Sequence, residues 1–163
     1  MTWSLRLENG DLVKGPGNSI DTIMGPRKVV QDLICWIKEP YGSDPLNPEL
    51  GSFIDIAEEG SVIYANGQAN FFSDDYSEMV VSEISRIITE YQVKQMARLQ
   101  IELQKYNGLY TFSQDELIEN FNIYYQRDYD TLYVRVDLQM VSGDFFQFEL
   151  PVQSPSTAQN YGG

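Results

Sequence analysis

Apolar residues recur at two different periods along this chain, and the order of those periods outlines a fold. Trp3, Leu5 and Leu7 alternate with Ser4, Arg6 and Glu8, which predicts a strand with one buried face. Asn9-Gly10 follows, the pair that most readily takes positive φ in a type I′ turn. Asp11 to Val13 is therefore expected to return as a second short strand, ended by Gly15-Pro16-Gly17. The spacing then changes. From Pro26, a favoured first-turn residue because its missing N–H would be unpaired there anyway, Val29, Val30, Leu33, Ile34 and Ile37 recur at helical intervals. Trp36 and Cys35 widen that stripe, and Cys35 is expected to be buried and inert. Pro40 disfavours helical geometry at the residue before it, so the helix should stop near Glu39.

Residues 40–51 read PYGSDPLNPELG, where the prolines and glycines predict a stiff, non-repetitive loop. Residues 52–72 carry no strong period. Ser73, Asp74 and Asp75 supply a helix N-cap, with capping-box spacing from Asp75 to Glu78. Val80, Ile84, Ile87, Ile88 and Tyr91 then share one helical face, which Met96, Leu99 and Leu103 prolong toward Tyr106. Asn107-Gly108 is a natural stop.

After a second capping signal at Ser113 and Glu116 the period returns to alternation. Phe121, Ile123 and Tyr125 mark one strand. Leu132, Val134, Val136, Leu138 and Met140 alternate without a break with Thr131, Tyr133, Arg135, Asp137 and Gln139. Beyond the Ser142-Gly143-Asp144 turn, Phe146, Phe148 and Leu150 line a return strand that Pro151 is expected to limit. Helices and strands are segregated along the chain, so the expected class is α+β: a short N-terminal hairpin, two main helices and a C-terminal antiparallel sheet. One domain is expected over residues 1–152, with 153–163 as a mobile tail.

Composition narrows the chemistry. The chain has no histidine and one cysteine, which removes Ser-His-Asp and Cys-His catalysis, ordinary zinc sites and any intrachain disulfide. With 24 acidic and 11 basic residues the net charge is −13, which repels phosphate backbones and anionic membranes; no nucleic acid or membrane partner is expected. The 11 tyrosines and 8 phenylalanines lack interleaved Lys or Arg, so packing accounts for them better than base stacking. No apolar stretch reads as a secretory signal or a bilayer span.

Several segments in this order resemble the small baseplate wedge subunit of contractile-tailed phages, also described as the sheath initiator, historically as tail lysozyme, and related to a subunit of type VI secretion baseplates. The likeness is carried by Gly10-Asp11-Leu12 in the hairpin, by KVVQDLICWI in the first helix, and by Glu39-Pro40-Tyr41-Gly42 with Asn47-Pro48-Glu49-Leu50-Gly51 after it. SEISRIITEY and the closing two-strand pattern complete it, over most of residues 5–152. The resemblance implies a virion protein of the tail baseplate, assembled in the host cytoplasm, that binds other wedge proteins and the tail sheath protein without cofactor, metal or enzymatic activity. Copies would be arranged by the assembly. Its implied wedge-core contacts are Tyr41, Leu46, Pro48, Leu50 and Tyr91, Gln92, Val93, Lys94. Its implied sheath-strand contacts are Tyr133, Arg135, Asp137, Phe145, Gln147 and Glu149, through strand addition to an open sheet edge.

Members of that family often carry Glu-Pro-Arg after the second helix; here Tyr91 is followed by Gln92-Val93-Lys94, so the helix is expected to continue toward Lys105. Two rival functions are kept. For a peptidoglycan-cleaving activity, two of Glu39, Asp44 and Glu49 would have to form an acid and carboxylate pair, which needs one carboxyl with a pKa raised by burial. A free-standing adaptor binding a single protein partner is the other.

Overall fold

The computed structural model describes residues 2–8, 10–54, 74–105, 113–129 and 131–153. Its elements are β1 (Trp3–Leu5), β2 (Leu7–Glu8), β3 (Asp11–Leu12), β4 (Thr22–Met24), α1 (Gly25–Lys38), α2 (Asp74–Lys105), β5 (Ile118–Asp128), β6 (Thr131–Met140) and β7 (Phe145–Gln153). The class is α+β, as the segregated periods predict. The capping expected at Ser73–Glu78 rests on Ser73 and on the side chains of Asp74 and Asp75, which lie outside the described residues, as do 55–72 and the tail beyond 153.

The N-terminal hairpin forms with a correction. β2 and β3 pair Leu7↔Leu12 and Glu8↔Asp11, leaving a two-residue connection whose second member, Gly10, sits at φ +85°. β1, however, pairs with β4, a strand the alternation did not reveal, in the register Trp3↔Met24, Ser4↔Ile23, Leu5↔Thr22. That register turns Ser4 and Ile23 inward and leaves Trp3 65% exposed. The face expected to be buried is the outer one, because Ile23 on the partner strand decides which side meets α1.

α1 is a 14-residue helix with Pro26 in its first turn and Glu39 as C-cap, extended at ψ 128° as a residue before proline must be. Val29, Leu33 and Ile37 are buried, and Val30, Ile34 and Trp36 pack beside them. Cys35 is exposed, contrary to expectation, because it lies on the far side of the helix from that line. Partial desolvation, and then the charge of Asp32, push its thiol pKa up, with Lys38 opposing.

α2 runs unbroken for 32 residues. Tyr76, Val80, Ile84, Ile87, Ile88 and Tyr91 are buried and form the centre of the core with α1 and the sheet. Beyond Tyr91 the expected apolar continuation is mostly not inside: Leu99 is half-buried, but Met96 is 51% and Leu103 39% exposed, whereas Gln95 and Glu102 face inward. Phase explains this. The side of α2 that points at the sheet carries Gln95, and its amide binds the start of β5: Gln95 Nε2 donates to Glu116 O at 2.7 Å and Ile118 N–H donates to Gln95 Oε1 at 3.3 Å. The capping signal at Ser113 and Glu116 opens no helix; it closes a turn, with Ser113 N–H donating to Glu116 Oε2 at 3.1 Å.

The C-terminal sheet has the order β5-β6-β7, all antiparallel. On β6, Leu132, Val134, Val136, Leu138 and Met140 are fully buried in one core cluster with the apolar residues of α1 and α2, and Phe148, Leu150 and Val152 of β7 join them. The opposite face of the sheet carries the polar and aromatic alternates.

Candidate functional site

β6 is the central strand, so β5 and β7 occupy both of its edges. Of the strand pair expected to meet a foreign strand, only β7 has an edge with no partner strand among the described residues. Ladder parity tells which groups that edge presents. Met140 N–H donates to Asp144 O at 2.9 Å, so this pair is a hydrogen-bonded one, and bonded and non-bonded pairs alternate from there. Phe146, Phe148 and Leu150 then direct their N–H and C=O groups to β6. Phe145, Gln147 and Glu149 direct theirs outward. Pro151, opposite Tyr133, falls in the outward set, so its missing N–H costs the ladder nothing and β7 continues to Gln153. The expected limit at Pro151 is thus absent on the β6 side, and the free edge loses a donor there instead.

Tyr133, Arg135 and Asp137 lie on the outward face of β6, beside Glu149 and Gln147, which pair with Arg135 and Asp137 respectively. Arg135 grips Asp137 with two bonds of 2.8 Å and lies 5.6 Å from the centre of the Tyr124 ring. The hydrogen bonds from Arg135 hold the Asp137 carboxyl below its ordinary pKa and raise the guanidinium in return. A shallow cleft of about 440 Å³ runs here between Tyr124, Tyr125, Tyr133, Arg135 and Glu149. All six residues implied as sheath-strand contacts therefore share one strand pair; Phe145, Gln147 and Glu149 present backbone to the edge, whereas Tyr133, Arg135 and Asp137 have only side chains to offer.

The residues implied as wedge-core contacts divide differently. The proline-rich loop is closed on itself: Tyr41 N–H donates to Ser52 O at 2.9 Å, Gly42 N–H to Leu50 O at 3.3 Å, and Ser52 N–H to Glu39 O at 2.7 Å. Leu46 projects from it at 89% exposure, with Pro48 also exposed and Leu50 half-buried. Tyr41 stacks on Phe53 at 4.5 Å, and Arg86 of α2 reaches over to it, 5.8 Å from its ring, while donating to Gly51 O at 2.9 Å. Arg86 was legible only as a polar position on α2; the contact that ties loop to helix spans 35 residues and leaves no local signal.

Tyr91 is buried, donates its hydroxyl to Asp32 Oδ2 at 3.0 Å and meets Trp36 edge-on at 5.1 Å. Burial, and then the Asp32 carboxylate, push its phenol well above the ordinary range. Gln92 donates to Ile118 O at 3.2 Å. Lys94 pairs with Glu90 at 3.1 Å and covers the Trp36 ring at 4.7 Å. Only Val93 of these four presents an uncommitted apolar side chain. The helix continues through this segment, as the absent proline predicts.

Asp44 accepts from Asn47 Nδ2 at 3.0 Å and Leu46 N–H at 2.8 Å, and these bonds lower its pKa, opposite to what a general acid needs. Among the described residues no group of His, Cys, Asp or Glu side chains could hold a metal ion, and no helix is long and apolar enough to cross a membrane. Comparison with protein-family models, with curated proteins and with solved structures returns no match to this chain.

Proposed function

We propose that this chain is a structural, non-catalytic subunit of a contractile-tail baseplate, seated on the wedge core through its helices and loop and offering β7 as the strand on which the first sheath ring adds. The observation that carries the reading is the edge of β7. Phe145, Gln147 and Glu149 point their backbone groups away from β6, on a strand that Phe148, Leu150 and Val152 anchor in the core. An edge held this way is pre-organised, so a partner strand loses little entropy in ordering it. The exposed Leu46 and Val93 are the apolar points left for the wedge core once Tyr91, Gln92 and Lys94 are committed within the chain.

The test is a proline at Gln147. Its nitrogen faces the open edge, so the substitution removes one outward donor and leaves the β6 ladder complete. Soluble, folded protein on baseplates that fail to polymerise sheath is the expected result. Sheaths of normal length on tails carrying only the variant would overturn the reading.

A further inference from the structure

We infer that the outer face of α1, walled by the N-terminal hairpin, is a docking groove for an acidic amphipathic helix of a protein partner, separate from the β7 edge. The groove encloses about 660 Å³. Its floor is one face of α1, on which Arg27, Val30, Ile34 and Lys38 follow each other at three- and four-residue steps. Leu7 and Ile23 form the opposing wall. That wall is anchored, because Leu7 N–H donates to Gln31 Oε1 at 2.9 Å and Gln31 Nε2 donates to Leu5 O at 2.8 Å. Val30 and Ile34 pack on the core with one side and keep the other partly exposed in the groove.

Charge selects the occupant. In a chain with 24 acidic and 11 basic residues, cations are normally matched. Arg6 pairs with Asp21, Lys28 with Asp32, Arg86 with Glu83 and Glu90, and Arg135 with Asp137. Arg27 and Lys38 make no ion pair among the described residues and stand exposed on the groove, about 16 Å apart along the helix axis at 1.5 Å per residue. Lys14 and Lys105 share that state but do not line the groove. Glu39, the carboxylate on the rim, accepts from the Ser43 hydroxyl at 3.2 Å.

A helix of about three turns, apolar on one face and with a carboxylate near each end, satisfies both features: its apolar residues cover Val30 and Ile34 while its carboxylates meet Arg27 and Lys38. Nucleic acid or an anionic bilayer offers the same sign but presents many charges at once to a molecule of net charge −13 whose groove carries only Arg27 and Lys38 to greet them.

Cys35, the chain's only cysteine, lies exposed in this groove and reports its occupancy. The experiment measures the rate at which maleimide modifies Cys35 in the full chain. The probe is a capped helical peptide of about 14 residues, with leucines along one face and glutamates at both ends; the control has lysines in place of the glutamates. The acidic peptide at saturation is expected to slow modification by at least about tenfold, and the lysine peptide to leave it unchanged. An Arg27→Glu/Lys38→Glu variant should reverse that preference, and Lys38→Gln alone should weaken binding of the acidic peptide. No protection by the acidic peptide, equal protection by both, or protection only by phosphatidylglycerol vesicles or duplex DNA would overturn the proposal. The Gln147→Pro variant should keep full protection, so a failure here is distinguishable from a failure of the sheath reading.

Discussion

Glu116 has no exposed surface, yet it is a carboxylate. It is accommodated because its oxygens accept from Thr2 N–H at 2.7 Å, Thr2 Oγ1 at 2.9 Å and Ser113 N–H at 3.1 Å, which ties the N-terminal strand region to the entry of β5. Glu116→Ala would strand those donors and is expected to cost about 3 kcal/mol in urea unfolding. Glu116→Gln, which still accepts through its amide oxygen, should cost less. Equal losses for the two would mean that both carboxylate oxygens are required as acceptors, Oε1 for Thr2 and Oε2 for Ser113. Tyr91 gives a pH dependence with a definite sign. Its folded-state pKa lies above the ordinary 10.0, so its contribution is complete below pH 10 and is lost as pH rises beyond that value toward the folded pKa. Tyr91→Phe should therefore flatten the alkaline fall in stability, as measured by denaturant unfolding between neutral pH and pH 11. An unchanged slope would exclude Tyr91 as its source.

At the scale of the element, the parity of β7 makes adjacent residues unequal. Gln147→Pro touches only an outward N–H, whereas Phe148→Pro removes an inward one together with a buried ring. The second variant is expected to lose about 3–5 kcal/mol more than the first from the missing packing. A loss of about 3 kcal/mol or more for Gln147→Pro by itself would show that the ladder has the other phase. The loop after α1 depends on one glycine in a comparable way. Gly51 sits at φ +98°, and a Cβ there would lie 2.5 Å from Glu39 O and 2.7 Å from Pro40 O. Gly51→Ala cannot keep the loop closed against Arg86, and a loss of at least about 2 kcal/mol is expected. Hydrogen exchange should show the bonds of Tyr41 and Ser52 opening first. Retained protection there would place the strain elsewhere.

Taken whole, the molecule concentrates charge of one sign around a modest core. A net charge of −13 repels itself in the folded state more than in the expanded chain, and about 0.3 M salt screens that repulsion beyond roughly 6 Å. Raising NaCl from about 0.02 M to about 0.3 M is therefore expected to add about 1 kcal/mol, seen as a rise of roughly 2–4 °C in Tm. A falling Tm would mean that ion pairs such as Arg86 with Glu83 and Glu90 outweigh the repulsion.

Local periodicity was enough to determine the elements with long, unambiguous patterns. The helix ending at Glu39, the long helix as far as Tyr91, and the alternation of Leu132 to Met140 all follow from spacing that each segment carries within itself. Sides and partners were another matter. The outward turn of Trp3 came from pairing with Thr22–Met24, and the inward turn of Gln95 from the bonds it makes to β5. The closed position of β6 came from strand order, and Arg86 found Gly51 across 35 residues. A periodic segment specifies that it has an apolar face, whereas which neighbour that face meets, and which edge is left open, is settled by contacts between residues far apart in sequence. For that reason the amino-acid order determined the long strands and helices of this protein, and tertiary packing alone decided that Phe145, Gln147 and Glu149 line the β7 edge, which has no partner strand among the described residues.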